Sequence, residues 1–359
     1  MDKDKQALRF GVMALACAFL LRLIGCVFLG NWSLFSGPEL AGFMIRSETG
    51  RVASPITEPT GTPTEPSTEA TDPSEPSEPS EPTDPPETSA PTEPSVETTA
   101  PVQLPVDKPG FTAEDAQLVR VTYGCKRNPD LEKLLVKKLS WDLTGDNPTI
   151  LIIHTHGTES YTQTEERQYE EFGGEYRTDD VRYNMISLGE ELARLLTEAG
   201  LSVIHDRTMH DLSDYNDSYD NSRAAVQEYL RQYPSIKMVL DLHRDAAEYA
   251  DGTQWATSAT VNGERSAQVM LVVGTNATGL NHPNWETNMS IAEKIMVQME
   301  RICAGVARPI NLRGSRFNHD LAMGAMIAEI GSAGNTHEEA MRAIPVLANA
   351  IISLSKGSQ

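Results

Sequence analysis

Cysteine and basic residues are both scarce in this chain, and each shortage excludes a class of protein. The 359 residues include only four cysteines, which excludes a small scaffold held together by many disulfides. Lysine and arginine number 30 against 51 aspartates and glutamates, and the net charge of −21 argues against a nucleic-acid partner. The sequence also lacks a G-x-S-x-G elbow, a P-loop and a dinucleotide fingerprint, so serine-hydrolase and nucleotide-binding functions have no support.

Aromatic residues are missing altogether from residues 51–100, which instead hold 12 of the 22 prolines. The same stretch carries 11 acidic residues and one arginine, and it therefore contributes −10 to the net charge. Such a composition cannot form a hydrophobic core, and proline-rich, like-charged chains are extended. We therefore predict a disordered linker over residues 32–105, which serves as a passive spacer rather than as a ligand for another module.

An apolar segment at residues 11–31 precedes this linker and is long enough to span a bilayer as a helix. Arg22 lies near its middle, at a cost of about 3 kcal/mol that the surrounding apolar side chains offset. Lys3, Lys5 and Arg9 before the segment favour a cytoplasmic N-terminus, residues 1–10. The alternatives are a cleaved signal peptide, for which a small-residue cleavage site is lacking, and a buried soluble helix. We predict a single-pass protein of the cell membrane whose remaining residues are extracytoplasmic.

Residues 106–359 alternate between strand-like and helix-like apolar patterns, which predicts a single extracytoplasmic domain. Strands are expected at 149–153, 201–204, 236–242 and 325–330, a hairpin around the Asn262-Gly263 turn at 256–273, and helices at 185–199, 291–302 and about 337–354. This order predicts an α/β fold of three layers with a mostly parallel central sheet. Cys125 and Cys303 are the cysteines of this domain, and the sequence leaves open whether they pair.

Polar clusters directly follow three of the predicted strands: residues 154–159, residues 241–245, and Glu329. Functional side chains of such sheets gather at the carboxyl ends of the strands, so we expect these clusters to meet. His156 and Glu159 have H-x-x-E spacing, and together with His243 they form a donor set that suits Zn²⁺. Because His154 and His156 both follow the first strand, either one is a candidate for the first ligand.

Zinc polarises a carbonyl group and acidifies a water molecule, but a separate carboxylate must move the proton of that water. Glu329 is the predicted general base, since it follows a strand and is not needed as a ligand. Arg244, next to His243, is the second predicted catalytic residue. This set of residues is typical of a zinc-dependent hydrolase.

The sequence blocks that carry these residues resemble a known family. The blocks ILIIHTHGTESY, DLHRDA, VVGTN, NHPNWETN, RFNHDL and AEIGSAGNTHEEA occur in order over residues 148–355. Together they resemble the stage II sporulation protein P family of endospore-forming Firmicutes. The resemblance implies a peptidoglycan hydrolase of engulfment, an N-acetylmuramoyl-L-alanine amidase with endopeptidase activity, and a fold similar to zinc-dependent cell-wall amidases. It also implies an association with the sporulation proteins D and M.

The resemblance assigns the site block by block: the histidine-containing block to residues 154–159, the D-x-H-R-D block to 241–245, and the late glutamate to Glu329. Related zinc amidases often take their second ligand from a glutamate further along the chain. This sequence offers several acidic residues there, namely Glu165, Glu166, Glu170, Glu171, Glu175, Asp179 and Asp180. We prefer Glu159, because its distance from His156 suits a shared metal ion.

Two other functions fit parts of the same pattern. A zinc carboxypeptidase acting on stem peptides also uses H-x-x-E with a distant histidine and glutamate, and it would need Arg244 or Arg316 to bind a free carboxylate. A non-catalytic module that binds the cell wall and scaffolds it to the membrane is the second alternative. The intact set of ligands and base argues against the scaffold.

Overall fold

The computed structural model describes residues 110–355 of the chain. Its strands are β1 (Val121–Gly124), β2 (Ile150–Ile153), β3 (Val203–His205), β4 (Met238–Asp245), β5 (Ala259–Val261), β6 (Glu264–Ser266), β7 (Val269–Gly274), β8 (Ile310–Arg313) and β9 (Ala325–Ser332). Its α-helices are α1 (Leu131–Val136), α2 (Met185–Glu198), α3 (Ser218–Gln232), α4 (Trp285–Ile302) and α5 (His337–Ser353). Short 3₁₀ helices lie at Ala113–Leu118 and His319–Leu321.

The central sheet has seven strands in the order β1-β8-β7-β9-β4-β2-β3. All neighbours in it are parallel except β7 and β9, which are antiparallel. Helices α2, α4 and α5 pack on one face, and α3 packs on the other. The predicted three-layer α/β fold with a mostly parallel sheet is therefore confirmed.

Strand β2 shows why a continuous apolar run forms a central strand. Ile150 and Ile152 point into the core shared with α2, α4 and α5, while Leu151 and Ile153 point into the core shared with α3. All four side chains are buried, as expected for a parallel strand that is covered on both faces.

The same alternation decides where the polar residues of β4 and β9 point. Leu240 and Leu242 face the larger core, so Asp241 and His243 lie on the α3 face of β4. Glu329 lies directly opposite His243 in the parallel ladder, on the same face. The predicted strand 325–330 is two residues too short, and Glu329 lies within the strand rather than after it. β9 continues to Ser332 because its pairing with β4 continues to Asp245.

The capping residues predicted for two helices are found at their ends. Helix α5 begins at a capping box in which Thr336 and Glu339 satisfy each other's backbone amides, and Pro345 lies inside the helix. Helix α2 ends just before Gly200, whose φ of +85° suits the predicted C-terminal glycine.

The predicted hairpin is correct only in its first half. Asn262 and Gly263, both with positive φ, form the turn between β5 and β6. The following strand, β7, leaves this pair and joins the main sheet beside β9, where its apolar side chains are buried on both faces.

The predictions for residues 1–105, a cytoplasmic segment, a membrane span at 11–31 and a linker, lie outside the described residues. Within the part of the chain that the structure describes, no helix is long and apolar enough to cross a bilayer. Cys125 and Cys303 are both free thiols.

We expect the stability of the domain to fall steeply in mild acid. Burial lowers the pKa of His282 to about 4, that of His319 to about 3 and that of His337 to about 4. These histidines protonate near pH 6.5 only in the unfolded chain, so their stabilising effect is lost as the pH falls from about 6.5 toward 4. These three protons contribute about 4 kcal/mol per pH unit to the slope of the free energy of unfolding against pH. Urea unfolding at pH 7, 6 and 5 measures the slope.

The matched control for this slope is His337→Gln, which removes one titrating group and retains a donor toward the Ser187 hydroxyl, 2.7 Å from the His337 ring. The slope of this variant should be lower by about 1.4 kcal/mol per pH unit, since it lacks one of these protons. A free energy of unfolding that does not change between pH 6.5 and 5 would contradict the account.

Candidate active site

His156, Glu159 and His243 meet on the α3 face of the sheet, beyond the carboxyl end of β2. Glu159 Oε2 lies 3.5 Å from His243 Nδ1, and the ring centroids of His156 and His243 are 5.3 Å apart. The turn after β2 brings His156 and Glu159 together, since the Glu159 amide donates to the His156 carbonyl. All three side chains are buried, so the structure brings together the three predicted metal ligands.

A carboxylate lies behind each of the two imidazoles. Asp211 Oδ2 is 3.8 Å from His156 Nδ1, and Asp241 Oδ1 is 3.0 Å from His243 Nε2. Asp211 is held in turn by the Thr158 hydroxyl at 2.7 Å. The distance from Asp241 is that of a hydrogen bond and the distance from Asp211 that of an ion pair, and a carboxylate so placed can orient a metal-binding imidazole.

Thr155 ties the loop after β2 to strand β4. Its amide and its hydroxyl donate to Asp241, at 2.8 and 2.5 Å. The same hydroxyl lies 2.9 Å from Ser222 Oγ on α3. The path of the loop, and with it the position of His156, is therefore fixed by both neighbouring elements.

The charges of the site are strongly coupled. Burial raises the pKa of Glu159, but Arg244 and His243 outweigh it and hold this pKa at about 2. Burial lowers the pKa of His243, but Asp241 and Glu159 beside it outweigh burial and raise this pKa well above its usual value. Asp241 has a pKa of about 2 despite its burial, because His243 and Thr155 stabilise its charged form. The site therefore carries two carboxylates that stay ionised at neutral pH.

Glu329 lies beside this cluster and differs from the other carboxylates. Its Oε2 atom is buried and has no hydrogen-bond partner within residues 110–355. Burial, aided by the charges of Asp245 and Glu159, raises its pKa to about 8. A carboxyl group with a pKa near neutrality, one oxygen of which has no partner among the described residues, is suited to accept and return a proton.

Arg244, the second predicted catalytic residue, is engaged with the loop after β2. Its amide donates to Glu159 Oε2 at 3.1 Å, and its guanidinium donates to the carbonyls of Ser160 at 2.8 Å and Tyr176 at 3.1 Å. Arg244 therefore positions Glu159 and the loop behind it. The other candidate for a carboxylate pocket, Arg316, is paired with Asp320 at 3.1 Å.

His154 faces away from the cluster. Its Nε2 lies 2.8 Å from His205 Nε2, and burial lowers the pKa of His154 to about 3. The geometry therefore favours His156 over His154 as a ligand. The acidic residues of the following loop, Glu165, Glu166, Glu170, Glu171, Glu175 and Asp179, are exposed, in contrast to the buried Glu159.

Within residues 110–355, no group of three or more His, Cys, Asp or Glu side chains is arranged so that it could hold a metal ion. His243 Nε2 lies instead 3.0 Å from Asp241 Oδ1. The residue types nevertheless fit zinc, which binds two imidazoles and a carboxylate and leaves a further position open. The positions of Asp211 and Asp241 also fit a zinc site. Each lies beside one nitrogen of an imidazole, which leaves the other nitrogen, Nε2 of His156 and Nδ1 of His243, for the metal ion.

Three residues around His156, namely Tyr215, Tyr219 and Arg177, were not predicted from the sequence. Tyr215 stacks on His156 with the ring centroids 4.3 Å apart, and Tyr219 meets the same ring edge-on at 5.7 Å. Arg177 lies over Tyr215 and also donates to Asp211 at 2.7 Å. These residues lie on a loop and a helix that the apolar pattern did not predict.

The solved structures that resemble this fold include two amidases. The N-acetylmuramoyl-L-alanine amidase AmiC2 of Nostoc punctiforme is 10% identical, with a TM-score of 0.36, and the match covers 58% of this chain and 97% of that chain. The CwlD amidase of Clostridioides difficile, solved in complex with the GerS lipoprotein, is 12% identical, with a TM-score of 0.38, and the match covers 57% of this chain and 96% of that chain.

Sequence comparison identifies the family. The stage II sporulation protein P of Bacillus subtilis (strain 168) is 30% identical over 216 residues, which is 56% of this chain and 49% of that relative. The match thus spans about half the length of the relative. The sequence model of stage II sporulation protein P (SpoIIP) matches residues 35–352, most of the chain. The chain therefore belongs to the stage II sporulation protein P family.

Proposed function

We propose that the protein is a zinc-dependent peptidoglycan hydrolase of sporulation. The proposed activity is that of an N-acetylmuramoyl-L-alanine amidase, with additional endopeptidase activity on cross-links. The proposal rests on one observation: His156, Glu159 and His243 lie close together, and Glu329 is paired with His243 on the neighbouring strand. Two imidazoles, a carboxylate ligand and a separate carboxylate base are the components of a zinc hydrolase.

His156, Glu159 and His243 would hold the zinc ion. When bound, zinc would supply Lewis-acid chemistry, polarising the carbonyl of the scissile amide and acidifying a water molecule. Glu329 takes the proton of the attacking water and returns it to the leaving amine. Its raised pKa, about 8, suits both transfers.

The surrounding residues keep these groups in position. Asp211 and Asp241 orient the two imidazoles, and Arg244 holds Glu159. Such groups act by fixing the reacting geometry in advance, so they lower the barrier without taking part in a bond change. Arg244 and Arg316 are both engaged within the protein, which leaves neither free to bind the terminal carboxylate that a carboxypeptidase requires.

The proposed location follows from the substrate and the sequence. Peptidoglycan lies outside the membrane, so residues 11–31 would anchor the chain in the cell membrane and residues 32–105 would tether the catalytic domain outside it. The role in engulfment and the partners, sporulation proteins D and M, are proposed from the family alone.

Product analysis tests the proposed reaction. Purified protein is incubated with isolated sacculi, and the released material is identified by mass spectrometry. Free stem peptides and glycan strands without peptides are expected. Release of only terminal D-alanine would indicate the carboxypeptidase, and binding without any cleavage would indicate a scaffold; either outcome would contradict the proposal.

A further inference from the structure

We propose that Tyr219 is a further catalytic residue, whose hydroxyl donates a hydrogen bond to the carbonyl oxygen of the scissile bond. This inference rests on the proposed hydrolase function and adds a residue to the same site. It is drawn from the position of the side chain, its hydroxyl and the contacts that fix it.

Tyr219 projects from the first turn of α3 into the site. Its ring meets the ring of His156 edge-on, with centroids 5.7 Å apart and planes at 86°. Asp241, Glu329 and Glu159 are the carboxylates close enough to act electrostatically on its hydroxyl. A phenol with an ordinary pKa of about 10 keeps its proton at neutral pH and is therefore a hydrogen-bond donor.

The side-chain hydrogen bonds that reach Tyr219 within residues 110–355 end on its backbone carbonyl and not on its hydroxyl. Two other tyrosines near the site differ in this respect. The Tyr161 hydroxyl donates to the Ile330 carbonyl at 2.7 Å, and the Tyr169 hydroxyl donates to the Tyr161 carbonyl at 2.6 Å. Those phenols stabilise the fold, whereas the phenol of Tyr219 is left for a group outside the chain.

The backbone of Tyr219 is held from two sides. Its carbonyl accepts from Asn318 Nδ2 at 2.8 Å and from the Ser222 hydroxyl at 3.3 Å. Ser222 in turn lies 2.9 Å from the Thr155 hydroxyl, which donates to Asp241. Tyr219 is thus linked to the carboxylate that orients His243.

The segment that supplies Asn318 is held in an unfavourable conformation. Phe317 and Asn318 are consecutive non-glycine residues with φ of +52° and +61°. Such conformations persist only where surrounding contacts hold them, and they concentrate at functional sites. Here Arg223 donates to Asn318 Oδ1 at 3.2 Å and binds Asp320 through two hydrogen bonds of 2.9 Å. The ring centroids of Phe317 and Tyr219 lie 5.9 Å apart.

The chemistry that this placement allows is stabilisation of developing charge. When water attacks the amide carbonyl, negative charge builds up on the carbonyl oxygen. A neutral phenol fixed beside the site donates to that oxygen and keeps its own proton, while Glu329 carries the proton of the water. The contribution is greatest in the transition state, so its loss should lower kcat rather than raise KM.

Tyr219→Phe tests the inference, because it removes only the hydroxyl and keeps the ring contacts with His156 and Phe317. We expect kcat on soluble peptidoglycan fragments to fall by about 10²-fold, as on removal of one oxyanion donor, with KM within about twofold of wild type. Zinc content and the melting temperature should not change. Tyr229→Phe, in the same helix but packed on the core around Val226, is the matched control and should behave as wild type.

The possible outcomes separate this inference from the proposed function. A wild-type protein that does not cleave peptidoglycan would overturn the proposed function. An active wild type together with a Tyr219→Phe variant of unchanged kcat would overturn only the inference. If Tyr219→Leu then raises KM, the ring and not the hydroxyl contacts the substrate, and the inference is wrong.

Discussion

Replacing Glu329 by glutamine should lower the rate of peptidoglycan cleavage by about 10²–10⁴-fold, the usual contribution of positioned proton transfer. The amide has nearly the same shape but cannot accept a proton from water. Because the buried Oε2 of Glu329 has no hydrogen-bond partner within residues 110–355, the substitution should not lower the melting temperature. Release of dye from labelled sacculi measures the rate.

Zinc content and thermal midpoint, measured on the same Glu329→Gln protein, separate the possible roles. A base leaves both unchanged, a ligand would release zinc, and a structural carboxylate would lower the midpoint. Glu286→Gln, at an exposed position of α4, is the control for the loss of one carboxylate. Near-normal release of dye by Glu329→Gln would rule out the proposed proton transfer.

His156→Ala and His243→Ala are each expected to abolish cleavage. Removing one of three protein ligands leaves too few to hold zinc, and both zinc and activity should be lost together. The two variants should differ in stability. His243→Ala removes the imidazole partner of Asp241 and leaves this buried carboxylate the hydrogen bonds from Thr155, at a cost of about 1.5–3 kcal/mol. His156→Ala should cost less, since Asp211 keeps its contacts with Thr158 and Arg177. Metal analysis and urea unfolding measure these quantities.

His154→Gln is the control for the choice of histidine. His154 pairs with His205 and not with Glu159 or His243, so this variant should retain zinc. If His156→Ala kept a full complement of zinc and His154→Gln lost it, His154 would be the first ligand.

Much of the site was predictable because it depends on patterns that are local in the sequence. The buried run of β2 and the apolar residues of β4 and β9 identify three strands, and polar residues that interrupt such runs are conspicuous. The rule that parallel strands present their carboxyl ends at one edge then brings His156, His243 and Glu329 together. Their pairing in the ladder, with His243 opposite Glu329, agrees with this expectation.

The remainder of the site was not predictable, because it depends on contacts between distant segments. Asp211 and Tyr219 reach His156 through a loop and a helix of weak apolar pattern, so periodicity gives no signal for them. The side chain of Arg244 points toward the loop after β2. Its guanidinium donates hydrogen bonds there to the carbonyls of Ser160 and Tyr176. Through these contacts Arg244 holds the loop that carries Glu159.

The metal content of the purified protein tests the central claim most directly. We expect one zinc ion per chain, whose removal by a chelator abolishes cleavage of sacculi and whose return restores it. The same measurement on His243→Ala should find no zinc, because Glu159 and His156 alone do not complete the site. A metal-free wild-type protein that cleaves peptidoglycan at the full rate would contradict the account.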